Sequence, residues 1–499
     1  MKNNKKKHCV IIVGGGTAGS IICSRLESEF NLTVFEKSDK RRIPLFNKIP
    51  LLIGLLYSSN NKYIKKIDLE FNSRRSLPFF QSNVLGGASA MNGCVHVLGI
   101  YPKWTSFLKK FNLEIKNMED AFENLFSRKF DRNKISLRLA RQHNIDHAFQ
   151  SAFKKINIEI GRTDLMNEQA CGPIVNTTRK FFRSSVLNLK PYRKSKLLLN
   201  EKVTNLLLND DDEVIGVVAD GKEYHADHVI LSAGVIGTNE LLMRPAIRAS
   251  DQKEVDLNLD VGKGIKDHVN LRINVSSNKK IESLNIISKS LMRKVLIFVK
   301  HLFGINTLMI GTGATSSANI DLDDDGIVDT RINLLNFSEQ GRLGSDGEFF
   351  EDARHGFSLS ISSINPLSEG HIEFSASDGI RLKPNYLEHP EDEKNLNKAI
   401  DLCLLLLRSD PLSDYVLEIK DKEKIDNQRK SFIEDGVYSG YHLIGGCQNI
   451  LNENFQVKKF NSLNICDASI FDEYLSSNIH APVAVVADLF SEKFINRAG

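Results

Sequence analysis

Residues 8–37 constrain the fold of this chain more than any other stretch. An apolar run, Val10-Ile11-Ile12-Val13, enters Gly14-Gly15-Gly16-Thr17-Ala18-Gly19, continues through a helical stretch to Leu26, and ends in Leu32-Thr33-Val34-Phe35-Glu36. Strand, glycine turn, helix and strand in that order open a parallel sheet, because parallel neighbours require a crossover connection. In the GxGxxG pattern the first glycine permits the tight turn, the second lets a pyrophosphate approach the backbone, and the third lets helix pack on strand. Glu36 closes the second strand, where a carboxylate can accept hydrogen bonds from a ribose. The glycines alone would be weak evidence; with strand, helix and acid they predict a dinucleotide site.

A chain of 499 residues, 41% hydrophobic and 26% charged, can bury a large core and is expected to form two closely packed domains. A net charge of +4 gives no support to nucleic-acid binding. Seven cysteines, at 9, 23, 94, 171, 403, 447 and 466, stand singly without a CxxC pair, which argues for reduced thiols and against a disulfide framework or zinc site. The basic N-terminal tip passes straight into the first strand, so no cleavable signal peptide is expected and a cytoplasmic location is the default. No run of about 18 uncharged apolar residues occurs, so no spanning helix is expected. The segment 281–310 mixes Leu, Ile and Phe with Glu282, Lys289, Arg293, Lys294, Lys300 and His301; it reads as a substrate-domain helix with a solvated basic face rather than one that touches a membrane.

Further strands are expected within 196–220, 225–234 and 267–374, and long helices at 392–408 and 481–494. His480 stands just before the last of these helices, whose first turn suits Pro482, and His442 lies in Tyr441-His442-Leu443-Ile444-Gly445-Gly446-Cys447, a glycine-containing segment suited to a loop. Two imidazoles near the end of a chain that begins with a nucleotide fingerprint suggest base-assisted redox chemistry. Asp321-Leu322-Asp323-Asp324-Asp325-Gly326 begins like a calcium loop, but Ile332 stands where the bidentate glutamate belongs, so an acidic turn and no metal site is the expectation.

GGGTAG with Glu36, VLGGASAMNG at 84–93, LSAGVIGTNELL at 231–242, VGKGIKDH at 261–268, YHLIGGC at 441–447 and LNICDASIFDEYLSSNIHAPV at 463–483 occur in the order found in the glucose-methanol-choline oxidoreductases. The chain resembles that family over nearly its whole length. The resemblance implies an α/β fold: a Rossmann-like FAD-binding domain with a substrate domain built on an antiparallel sheet flanked by helices. The FAD domain would take residues 1–150, 186–265 and 436–499, and the substrate domain 151–185 and 266–435. Non-covalent FAD would be held by Gly14, Gly16, Thr17, Ala18, Gly19, Glu36 and Lys37, by Gly86, Gly87, Ser89, Asn92, Gly93 and Val95, by Val203, Ala233 and Gly234, and by Asp467, Ala468, His480, Ala481 and Pro482.

His442 matches the family's first active-site histidine and His480 its second position, with Asn478 close enough to compete for that place. The activity implied is oxidation of a small-molecule alcohol to a carbonyl by hydride transfer to flavin N5, with His442 as the base, His480 positioning the hydroxyl, and oxygen or another acceptor reoxidising the flavin. A lyase of the same fold, or an unusual flavin-dependent desaturase or decarboxylase, is the alternative. Three departures stand out: Met91 replaces the histidine to which some members attach flavin, Gly445-Gly446-Cys447-Gln448-Asn449 alters the loop after His442, and the stretch 42–82 is shortened or altered.

Overall fold

The computed structural model describes residues 7–57, 61–72, 75–166, 169–305, 307–339 and 354–498. The basic tip at 1–6 lies outside the described residues. Strands β1 (Cys9–Val13), β2 (Asn31–Glu36), β3 (Lys196–Leu199), β4 (His228–Leu231) and β5 (Leu463–Ile465) form one sheet in the order β3-β2-β1-β4-β5, with every pairing parallel. Segments far apart in sequence thus meet in one layer. The central strands are apolar on both faces because helices cover both, as a parallel sheet requires.

Helix α1 (Thr17–Leu26) connects β1 to β2, and the glycines explain how closely it starts. A side chain at Gly19 would place its Cβ 1.9 Å from the Gly14 carbonyl oxygen, and one at Gly14, where φ is +103°, would come within 2.5 Å of the Ser232 oxygen. Helix α2 (Gly234–Met243) follows β4, and α3 (His480–Ala498) packs its Ala484, Val485 and Leu489 into the core beside α1. Arg25 of α1 is ion-paired with Asp488 of α3. The last helix begins at His480, one residue earlier than the spacing predicts.

A second layer is antiparallel. Its strands run Ala170–Pro173, Ala314–Ile320, Thr330–Leu335, Gly356–Ser363, Val269–Ser277 and Val416–Ile419 in spatial order, with Tyr438–Ser439 also paired to Val269–Ser277. The helix Pro390–Arg408 buries Leu396, Ala399, Ile400, Cys403 and Leu407 in the same apolar cluster as this sheet. Its first turn carries a proline and three acidic residues, which suit a helix N-terminus. A third, mixed sheet contains Ile444–Gly446, Lys263–Lys266, Gly370–Ser375, Gly379–Lys383, Ile64–Asn72 and Arg75–Ser82. The α/β architecture with an antiparallel sheet flanked by helices is therefore present.

Two local readings meet the structure differently. The acidic turn joins Ala314–Ile320 to Thr330–Leu335, the Gly326 N–H donating to Asp321 Oδ2 at 2.8 Å, while Ile332 is buried in the sheet. The carboxylates of Asp321, Asp323 and Asp325 gather within 4.8 Å of one another. The segment 281–310 keeps Arg293, Lys294 and Lys300 in solvent, as expected, but does not turn its apolar side to the core. It forms Leu284–Ser288 and Leu291–Leu302, and what the longer helix presents to solvent is largely apolar: Leu291, Met292 and Phe303 are 78%, 80% and 82% exposed. The reason is that Ile297 and His301 turn the opposite side of that helix inward. Among the described residues no helix is long and apolar enough to cross a membrane.

Substituting Gly19→Ala should force α1 away from β1, because the atom that would be struck is backbone. The expected result is a loss of about 2 kcal/mol or more in thermal or denaturant unfolding; unchanged stability would mean that the helix start can yield.

Candidate active site

The first part of the site is built from two glycine loops pressed together. Gly86 and Gly87 adopt φ of +88° and +56°, and a Cβ on Gly87 would lie 2.8 Å from the Gly16 Cα. The Gly86 N–H donates to the Gly15 oxygen at 2.8 Å, and the Ser89 hydroxyl donates to the Gly86 oxygen at 2.6 Å. Helix α1 has Gly16 as its N-cap, with no side-chain cap and no acidic residue in its first turn, so side chains leave its N-terminal N–H groups open to an anion. The buried Glu36 carboxylate accepts the Gly15 N–H at 2.9 Å and the Ser38 N–H at 2.8 Å, which uses one lone pair on each oxygen. Burial raises its pKa, partly offset by those two N–H groups and by Lys37.

On the other side of β1, Asp467 accepts from the Gly234 N–H at 2.8 Å, the Thr238 hydroxyl at 2.5 Å and the Ser469 N–H at 2.8 Å, tying the end of β5 to the start of α2. Val95 forms an isolated bridge to Asn176, and Val203 opens the strand Val203–Leu208. Asn92 accepts two hydrogen bonds from Arg183 Nη1, at its carbonyl (2.7 Å) and side-chain oxygen (2.9 Å). Arg183 Nε and Nη2 are buried without a hydrogen-bond partner. Glycine backbones in contact, an uncapped helix N-terminus and orphaned buried donors fit a flavin dinucleotide.

The second part is a chain of side chains that ends on His442. Arg331, on Thr330–Leu335, is 2% exposed; its Nε donates to Asn319 Oδ1 at 2.6 Å and its Nη1 to Asn478 Oδ1 at 2.9 Å. A guanidinium has only donors, so Asn478 must turn its oxygen to Arg331 and its amide nitrogen, at 3.3 Å, to His442 Nε2. His442 Nε2 is thereby the accepting, unprotonated nitrogen, and Nδ1–H faces His268 Nδ1 at 3.0 Å.

The loop is held from behind. Buried Asp267 accepts the His442 backbone N–H at 2.8 Å, the Tyr386 hydroxyl at 2.5 Å and the Ser439 hydroxyl, while the Tyr474 hydroxyl reaches the carbonyls of His442 and Lys266 at 2.8 and 3.0 Å. His442 keeps some accessible surface, yet protein surrounds it; burial and then the Arg331 charge lower its pKa to about 4. His480, at the first residue of α3, is buried with neither ring nitrogen bonded, and burial followed by Arg183 lowers it to about 4 as well.

Of the histidine and asparagine positions named from sequence, the structure joins His442 directly to Asn478, whereas His480 makes no hydrogen bond to either. Sequence reasoning passed over His268, Asp267, Arg331 and Arg183. The first two lie inside the VGKGIKDH segment, a signal that was available. Arg331 and Arg183 carry no local signal, since only the packing of distant strands buries them.

Comparison with known proteins shows the family and the fold. Residues 9–270 and 366–487 match the N- and C-terminal family models described as GMC oxidoreductase. The chain is 25% identical to an oxygen-dependent choline dehydrogenase of Photobacterium profundum, over 96% of this chain and 91% of that protein. It is 22% identical to an alcohol dehydrogenase (acceptor) of Pseudomonas putida, over 98% of this chain and 95% of that protein. Among solved structures, a formate oxidase superposes with a TM-score of 0.84 at 15% identity, covering 98% of each chain.

His96 yields a pH prediction that is read from stability rather than turnover. Both its nitrogens are buried without partners, and burial lowers its pKa to about 3. The folded state therefore stays unprotonated while the unfolded chain binds a proton below about 6.5, so stability is lost as pH falls through that window. His96→Leu should become increasingly stable relative to wild type from pH 6.5 to 4, by up to about 1.4 kcal/mol per pH unit. A pH-independent difference in unfolding free energy would contradict the assignment.

Proposed function

The chain belongs to the GMC oxidoreductase family, and we propose that it oxidises the CH–OH group of a small alcohol to a carbonyl, with His442 as the base. The reading rests on one observation above the others: Arg331 orients Asn478, and Asn478 leaves His442 Nε2 as a neutral acceptor in a surrounded pocket. A base must be unprotonated before it can take the hydroxyl proton, and this one is so throughout the physiological range. The naming of relatives as choline and alcohol dehydrogenases supports an alcohol as the substrate class.

FAD is the family's cofactor, and when bound it supplies a two-electron hydride acceptor. Gly14, Gly16 and Gly19 with the open N-terminus of α1 would hold its pyrophosphate, Glu36 a ribose, the 86–93 loop the ring end, and Asp467 with Ala468 the chain between. Met91 stands where a covalently linked member has histidine, so we propose non-covalent attachment.

The substrate hydroxyl displaces the Asn478 amide N–H from the one lone pair of His442 Nε2, which then takes the hydroxyl proton. The Nδ1–H then keeps its hydrogen bond to His268 Nδ1, so the new imidazolium remains oriented and its second N–H has an acceptor. His480, neutral and with both nitrogens free of protein partners, would hold the substrate oxygen as charge develops on it. Oxygen or another electron acceptor completes the cycle.

Anaerobic mixing of the FAD-loaded protein with a panel of alcohols should bleach the flavin absorbance. His442→Ala should slow that bleaching by roughly 10²- to 10⁴-fold at saturating substrate with flavin content unchanged; an unaltered rate would remove His442 from the base role. Arg331→Gln should move the acidic limb of kcat/KM upward, because Arg331 is one of the two causes that hold His442 near 4. A pH profile left in place would show that this charge does not act on the base.

A further inference from the structure

The helix Leu291–Leu302 has its apolar stripe on the wrong side for a helix that only packs against its own protein. At 3.6 residues per turn, Leu291, Val295, Val299 and Leu302 follow one line along the axis, with Met292, Leu296 and Phe303 beside it. All seven are exposed, between 39% for Val299 and 82% for Phe303. The side facing the protein is narrow: Ile297 joins the cluster formed with Ile49, Leu308 and Met309, and His301 Nε2–H donates to the Phe181 oxygen at 2.9 Å. Nearby, Leu45 and Phe46 are 63% and 65% exposed on a turn whose neighbours Ile49 and Leu52 belong to that same cluster.

Charge selects the occupant. Arg293, Lys294 and Lys300 are exposed on this helix and have no acidic partner among the described residues. No acidic residue stands anywhere between Glu282 and Asp321. A second copy of the chain would set these cations against themselves, since a two-fold contact pairs like with like. An apolar stripe about 140° wide flanked by cations, on a helix too short and too charged to span, instead has the form of a helix that lies in a bilayer interface.

We propose that the Leu291–Leu302 helix docks this protein on an anionic lipid surface, its apolar stripe entering the headgroup boundary while Arg293, Lys294 and Lys300 meet lipid phosphates. The other side of the helix stays anchored by Ile297 and His301, so docking needs no refolding.

The test is flotation of the full-length, FAD-loaded protein with phosphatidylcholine vesicles containing phosphatidylglycerol, and with phosphatidylcholine alone. Wild type should float with the anionic vesicles, less so in high salt, and weakly with the neutral ones. Arg293→Glu with Lys300→Glu should lower anionic-vesicle affinity by more than the roughly fivefold expected for each lost cation. Leu296→Glu with Val299→Glu should abolish flotation. These positions are solvent-exposed, so flavin absorbance and melting temperature should be unchanged in all variants. Wild type remaining unbound by anionic vesicles would overturn the proposal, as would flotation that survives both double substitutions. So would a wild-type dimer that Leu296→Glu with Val299→Glu converts to monomer without any vesicle binding, which would assign the stripe to a second copy.

Discussion

The structure depends on the approach of α1 to β1 at Gly14 and Gly19, closer than any side chain permits. That contact sets where the helix starts, and so where its uncapped N–H groups point. Once α1 is seated, the 86–93 loop can lay Gly87 against Gly16, which brings the flavin-loop segment over the turn. The last helix, α3, packs beside α1 and begins at His480. The position of a histidine near the end of the chain is thus referred back to a glycine near its beginning.

Around the base the decisive chemistry is donor and acceptor counting rather than charge alone. Arg331 cannot accept, so it fixes the orientation of an amide; the amide in turn fixes which nitrogen of His442 carries the lone pair. A buried guanidinium whose hydrogen bonds among the described residues go to amide oxygens is expensive, and its pKa is drawn down to about 10 by burial. Its retention beside the base makes sense if its role is orientation and electrostatic pressure on His442. Asp267 works from the other side by holding backbone, accepting the His442 N–H without touching the ring nitrogens.

The segment 281–310 shows why a helical pattern does not say which face is inside. Its apolar and basic residues recur at helical spacing in either reading. A stripe of Leu, Val and Phe would ordinarily be assigned to the core, and the cations to solvent. Here Ile297 and His301 have the buried places because the cluster beneath is small and because His301 finds the Phe181 carbonyl. The apolar stripe is consequently left outward.

By itself the sequence determined the parallel-sheet opening, because GxGxxG between a strand and a helix has few other physical solutions. It also determined the family, through ordered motifs spread along the chain, and singled out His442 and His480 as candidates. Local spacing carries such information because turns, helix starts and close backbone approaches are decided by neighbouring residues. Tertiary structure alone decided that Asn478 rather than His480 hydrogen-bonds to His442, that Arg331 and His268 flank the Asn478–His442 pair, and that the 291–302 stripe faces outward. Those relations join residues up to 174 positions apart, as between His268 and His442. Burial and donor orientation exist only after strands from distant segments pair, so no local pattern can encode them.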